Sequence, residues 1–157
     1  MTADEILYKL AAKCSTSEQC LSDIEAKLSR YDLTEEERTR ILRYLIEEKY
    51  IDDRRYAEAF VRDKYRFNKW GRIKITQGLH MKGIDRETID AAMEAIDERE
   101  YLDILRDLIK AKRKSTRGKN DYEINGKLMR FATGRGFEYA AIRQCMGAAA
   151  NDFEDWD

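Results

Sequence analysis

Three times along this sequence an isoleucine is followed four residues later by a leucine: Ile24 and Leu28, Ile75 and Leu79, Ile124 and Leu128. About one helical turn separates the members of each pair, so each pair lies on one helix face. Leu33 and Ile84 follow the first two pairs by five residues, and Phe137 follows the third by nine. The four extra residues of the third copy are about one further turn, which keeps its buried face in phase. Directly before these hydrophobes stand Asp32, Gly83 and Gly136, residue types that tolerate positive φ. Twelve residues beyond them come Leu45, Ile96 and Ala149. Any amphipathic helix yields Ile-x-x-x-Leu cheaply, but matched turn residues at matched spacing are harder to obtain. The chain therefore reads as one helical module written three times.

Each copy has room for three helices. In the first, Ile6, Leu7, Leu10 and Ala11 repeat at helical spacing over 4–14. Ser15 or Ser17, both ahead of Glu18, can cap a second helix that carries Leu21, Ile24 and Leu28 and ends near Tyr31. Thr34 and Glu37 form a capping box for a third helix, with Ile41, Leu42, Leu45 and Ile46 on its buried face up to about Lys49. The second copy opens at Asp52 and Asp53, carboxylates suited to a helix N-terminus, with Tyr56, Ala57, Phe60, Val61 and Tyr65 in i, i+4 ladders. Its next helix runs from about Trp70 to Lys82 through Ile73, Ile75 and Leu79, and Gly83 supplies the left-handed turn. Asp85 caps the third, with Ile89, Ala92, Met93 and Ile96 inward. The last copy is expected to hold helices over 101–114, 121–133 and 138–147, followed by an acidic, frayed tail. The expected fold is all-α: three tandem three-helix repeats of helix-turn-helix character at 1–49, 50–98 and 99–147, with a flexible tail at 148–157.

The absence of proline and the 39% charged residues agree with helices bearing solvated faces. No apolar run approaches the roughly 20 residues that span a bilayer, and no signal peptide precedes Ile6, so a cytoplasmic chain away from membranes is expected. Cys14, Cys20 and Cys145 lack metal-site spacing and read as small, reduced, buried hydrophobes. His80 is the only histidine, and no nucleophile–base pattern, metal-ligand spacing or phosphate-cradling glycine loop accompanies it. Gly134 and Gly136 belong to a helix-end turn. No catalytic residue, metal or cofactor is expected.

Charge is unevenly distributed. Residues 1–58 carry net −4, 62–86 net +6, 87–103 net −6, 106–135 net +7, and the remainder −4. The total of −1 hides two cationic blocks, each where a repeat's first helix passes into its second. A single charge run is usually a solvated face; two at corresponding places suggest a polyanionic partner or an acidic protein groove. Tyr65, Phe67 and Trp70 alternate with Lys64, Arg66, Lys69 and Arg72, an interleaving suited to base stacking or to an arginine-rich protein contact. Trp70 is better read as a staple between adjacent helices, as a Trp-Gly pair at a helix start often is. Base-specific reading by helix-turn-helix insertion is disfavoured, because the would-be recognition helix offers Glu87, Asp90, Glu94 and Asp97. Its counterpart in the first copy opens with Glu35, Glu36 and Glu37.

The run Tyr50-Ile51-Asp52-Asp53, then Tyr56-Ala57, Phe60-Val61, Trp70-Gly71 with Ile73 and Leu79, and Lys82-Gly83-Ile84 resembles the signature of the bacterial RecX family. It is dense over 45–96, and the threefold layout extends it to most of the chain. The resemblance implies a regulator of the RecA recombinase, built of three tandem three-helix repeats in an elongated, curved body. Such a protein lies in the groove of the RecA–DNA filament, restrains ATP hydrolysis, filament growth and strand exchange, and binds single- or double-stranded DNA more weakly. A monomer is expected. Asp52, Asp53, Gly71 and Gly83 match only as structural positions. The acidic first repeat departs from the picture and concentrates binding in the second and third. The charge pattern, rather than the resemblance, nominates the contact residues: Lys64, Arg66, Lys69, Arg72, Lys74 and Lys82, then Arg113, Lys114, Arg117 and Lys119. A nucleic-acid-binding protein without a recombinase partner and a helical protein–protein adaptor fit the residues as well.

Overall fold

The computed structural model describes residues 1–147, and these form nine α-helices and no strand. They are α1 (Ala3–Thr16), α2 (Leu21–Leu28), α3 (Glu35–Glu47), α4 (Asp53–Arg66), α5 (Arg72–Met81), α6 (Arg86–Met93), α7 (Glu98–Ser115), α8 (Asp121–Gly134) and α9 (Tyr139–Met146). The chain is all-α, as the periodicity predicts. The acidic end and Ala149 lie outside the described residues.

Local chemistry sets most helix starts. The Thr34 hydroxyl accepts the Glu37 N–H at 3.1 Å while the Glu37 carboxylate accepts the Thr34 N–H at 3.0 Å, the expected reciprocal box. Asp52, Asp85, Asp97 and Asn120 each accept the N–H three residues on, at 2.8 to 3.1 Å. The capping of α2 differs from expectation. Ser17 instead closes α1, its N–H donating to the Lys13 carbonyl, and the Ser15 hydroxyl bonds back to the Ala11 carbonyl. Cys20 is the residue ahead of α2, its N–H donating to Asp23 at 3.4 Å. α1 thus runs past its expected end to take in Ser15, and Ser17 follows directly as its C-cap.

Helix ends follow the glycines in two copies of three. Gly83 (φ +75°) and Gly136 (φ +91°) take the left-handed step. The Ile84 and Phe137 N–H groups then reach back to Leu79 and Ala132. Asp32 does not take that step: after α2 the Arg30 and Tyr31 N–H groups bond to Lys27 and Leu28, and this tight 3₁₀-type turn redirects the chain instead. Lys49 (φ 61°) and Lys69 (φ 56°) do adopt positive φ.

Contacts divide the chain into two compact units. One comprises Met1–Ala59 with Leu79–Ala92. Its core joins Ile6, Leu10, Ile24, Leu28, Ile41, Leu45 and Ile51, each contributing about 1.5–3 kcal/mol by leaving water. Ile46 sits at the edge of the α3 stripe and is 47% exposed rather than inward. Within this unit the start of α2 is held from afar. Asp53 caps α2, accepting the Leu21 N–H at 2.9 Å, although the sequence suggested that it caps its own helix. The Ser22 hydroxyl donates to the Lys82 carbonyl at 2.6 Å, and the Lys82 ammonium donates to Asp23 at 2.7 Å.

The other unit comprises Phe60–Gly78 with the described residues from Met93 onward. Here α7 packs on α8 and α9, which also pack on each other. Tyr65, Ile75, Tyr101, Leu105, Leu128, Phe137 and Ile142 are buried. Ile73 is 47% exposed, whereas Ile75 and Leu79 are buried on the inward face of α5. The start of α5 is also held from afar: the Gly71 N–H donates to the Arg135 carbonyl at 2.8 Å and the Ile73 N–H to the Gly136 carbonyl at 3.0 Å. Positions 20–22 and 71–73 correspond in the repeat, and so do the turns at 82–83 and 135–136. Each unit therefore contains the same joint: the middle helix of one module starts against the closing turn of the next. The threefold division at 1–49, 50–98 and 99–147 is our proposal from this correspondence.

Candidate functional site

The first cationic block meets at the α4–α5 connection. Trp70 is half-buried, its ring edge-on to Phe60 with centroids 6.2 Å apart, and a Cβ at Gly78 would meet both rings. The Lys64 and Lys74 ammonium groups lie 4.7 and 4.6 Å from the Trp70 ring centre. Trp70 is the staple that its sequence context suggests, and it also gathers two lysines. Phe67, 77% exposed, and exposed Lys69 stand beside it.

Arg66, Arg72 and Lys82 are engaged differently. Arg66 donates to Glu100 at 2.9 Å, and the same carboxylate accepts the Tyr65 hydroxyl. Arg72 bridges Glu98 and Glu138, the second at 2.8 Å, while its guanidinium lies 4.1 Å from the Tyr101 ring centre. The buried Tyr101 hydroxyl donates to Glu138 and accepts the Arg72 N–H at 2.9 Å. Lys82 is paired with Asp23. These three cations are neutralised where they sit, and two of them belong to the joints.

The second block lies at the α7–α8 connection. Arg113 and Lys114 occupy the last turn of α7, where the macrodipole favours cations, and Arg117 and Lys119 follow before α8. All four side chains are exposed. Both clusters that no ion pair neutralises among the described residues, Lys64–Lys69–Lys74 and Arg113–Lys114–Arg117–Lys119, thus lie at first-to-second-helix connections. No linear signal marks the partners Glu98, Glu100 and Glu138 as neutralising groups, because they lie 26 to 66 residues from the arginines they bind.

Burial pushes the Glu138 carboxyl up, but the hydrogen bonds from Tyr101 and Arg72 outweigh it and hold the group below its ordinary 4.5. The same contest, won by Lys82 and the Cys20 N–H and thiol, holds Asp23 below 3.8. A carboxylate lowered in the folded state stabilises fully above its unfolded pKa, and that stability is lost as pH falls through the folded value. Both joints should therefore loosen in acid, and Glu138→Gln should remove part of the acid sensitivity. Arg72→Met should cost about 2 kcal/mol, because it leaves a half-buried Glu138 with Tyr101 as its remaining partner. Urea titrations of wild type and both variants at neutral and acid pH check this. A variant as stable as wild type at neutral pH would refute it.

Burial raises the thiols of Cys14, Cys20 and Cys145, as suits inert hydrophobes. Among the described residues no helix is long and apolar enough to cross a membrane, and no His, Cys, Asp and Glu group has a metal-holding arrangement.

Comparison with known proteins places this architecture. Residues 52–93 match the second three-helix domain of RecX, and residues 98–146 match the third. A regulatory protein RecX of Clostridium botulinum (strain Eklund 17B) is 30% identical, over 98% of this chain and 74% of its own length. That of Clostridium acetobutylicum is 28% identical, over 91% and 69%. Among solved structures, a crystal structure of regulatory protein RecX superposes with a TM-score of 0.82 at 24% identity, covering 92% of this chain and 72% of the other. RecX from Lactobacillus salivarius gives 0.79 at 23%, covering 92% and 94%. At such identities the two structures speak for the fold.

Proposed function

The chain belongs to the RecX family of regulatory proteins, and from that premise we propose that it binds the filament which RecA forms on DNA and restrains it. The observation that carries this reading is the chain-long kinship with proteins named regulatory protein RecX, 30% identical over 98% of this chain in one case. The two unneutralised cationic connections support it. A regulator of a polyanionic assembly needs several modest, repeated contacts more than one strong one, because linked sites multiply their effect. Lys64, Lys69 and Lys74 in one module and Arg113, Lys114, Arg117 and Lys119 in the next supply such contacts. Arg66, Arg72 and Lys82 act instead by holding these connections in place. Bridging successive protomers would impede filament growth, ATP hydrolysis and strand exchange. Naked DNA should bind more weakly through the same lysines and arginines, with exposed Phe67 available for stacking.

The test is RecA-catalysed ATP hydrolysis on single-stranded DNA with and without the protein, together with co-sedimentation of the protein with the filament. We expect turnover to fall and the protein to sediment with the filament, more weakly as salt rises. Unchanged hydrolysis without co-sedimentation would refute the reading. Equal affinity for bare DNA and for the filament would favour a plain nucleic-acid-binding role.

A further inference from the structure

The first repeat, although net acidic, holds a cationic cleft to which neither the charge blocks nor the family comparison assigns a role. It lies between the C-terminal half of α1 and the end of α2, has a volume of about 580 Å³, and is lined by Lys9, Lys13, Lys27 and Arg30 around Leu10 and Tyr31. No carboxylate lines it. Among the described residues none of the four cations is held in an ion pair, in contrast to Arg55, Lys82 and Arg40 of the same unit. The macrodipole accounts for Lys13 and Lys27, in the last turns of α1 and α2. It does not account for Lys9, a turn earlier, or for Arg30, beyond the helix. Several helix-end carbonyls are already occupied, Lys13 accepting from Thr16 and Ser17 and Lys27 from the Arg30 N–H, so they do not call for these side chains. Four like charges converging on an apolar floor repel one another unless something negative joins them.

We propose that this cleft binds a short acidic segment of a partner protein, its carboxylates on the four cations and one large apolar side chain against Leu10 and Tyr31. The volume is within the range of ligand sites. Charge complementarity identifies the occupant, and its surroundings make it short. Residues 1–58 carry fourteen acidic groups against ten basic, so a long polyanion of either kind would be repelled outside the cleft. The cleft also lacks an exposed ring for stacking bases, since Tyr31 is half-buried and packed on the core. The site lies wholly in one compact unit and shares no residue with the cationic connections.

The experiment uses the full chain and a fluorescein-labelled ten-residue peptide of Asp and Glu with a central Phe, read by anisotropy in low salt. Binding is expected, and Lys9→Gln/Lys13→Gln/Arg30→Gln should weaken it about tenfold or more. Lys69→Gln/Arg113→Gln should leave it unchanged. Titration of the unlabelled peptide into isotopically labelled wild type provides a readout that needs no variant: amide shifts are expected over 9–16 and 27–31. Absence of binding, indifference to the triple substitution, or shifts confined to 64–74 or 113–119 would overturn the proposal. So would displacement of the peptide by a ten-residue oligothymidine at equal or lower concentration.

Discussion

Gly71→Ala is expected to destabilise the protein by at least about 3 kcal/mol. A Cβ there would stand 2.2 Å from the Phe137 nitrogen and 2.3 Å from the Gly136 carbonyl carbon and oxygen. These are backbone atoms, so no side chain can swing aside. The chain would have to separate the start of α5 from the α8–α9 turn, releasing the Gly71 and Ile73 hydrogen bonds together. Gly136→Ala should be as damaging, because its Cβ would meet Lys74 at 2.4 Å and its φ of +91° is one that L side chains rarely adopt. Gly83→Ala is the contrast: φ is +75° but nothing lies within 4 Å, so the conformational penalty of about 1 kcal/mol stands alone. Urea unfolding followed by far-UV circular dichroism ranks the three. Equal losses for Gly71→Ala and Gly83→Ala would mean that the close approach at Gly136 contributes nothing.

The largest effect on binding is expected from charge reversal that spares the joints. Lys69→Glu, Arg113→Glu and Lys114→Glu together should lower filament affinity about a hundredfold or more at modest salt, with a shallower salt dependence. All three side chains are exposed and, among the described residues, none is held in an ion pair, so thermal stability should change little. Arg72→Glu is left out deliberately. It would set a third carboxylate against Glu98 and Glu138, and any loss of binding would then be confounded with loss of the α5 start. Filament co-sedimentation at two salt concentrations decides the matter; unchanged affinity in the folded triple variant would make the contact assignment wrong.

The way these residues divide shows what a sequence can carry. Helix starts such as Thr34, Asp52 and Asp85 were legible because a cap acts across three residues and needs no knowledge of tertiary structure. The left-handed turns at Gly83 and Gly136 were legible for the same reason. Ile46 was misplaced because a stripe of four hydrophobes at 3.6-residue periodicity is wider than the face a neighbour covers. The pairings of Asp53, Arg66, Arg72 and Lys82 were not legible for a different reason. Their partners lie 26 to 66 residues away, and only the packing of one module on the next brings them together. A count of net charge sees a basic block; it does not see that Glu98, Glu100 and Glu138 have already claimed part of it.

One consequence concerns the order in which the polypeptide is made. Three N–H groups at the start of α5 are satisfied by residues 101, 135 and 136, and the Leu21 N–H by Asp53. α8 instead has Asn120 as a cap of its own. During translation, then, a middle helix emerges with its leading amides bare and waits for a later stretch of nascent chain to close it. Maturation should proceed in delayed steps, each module locking only when its successor has cleared the ribosome.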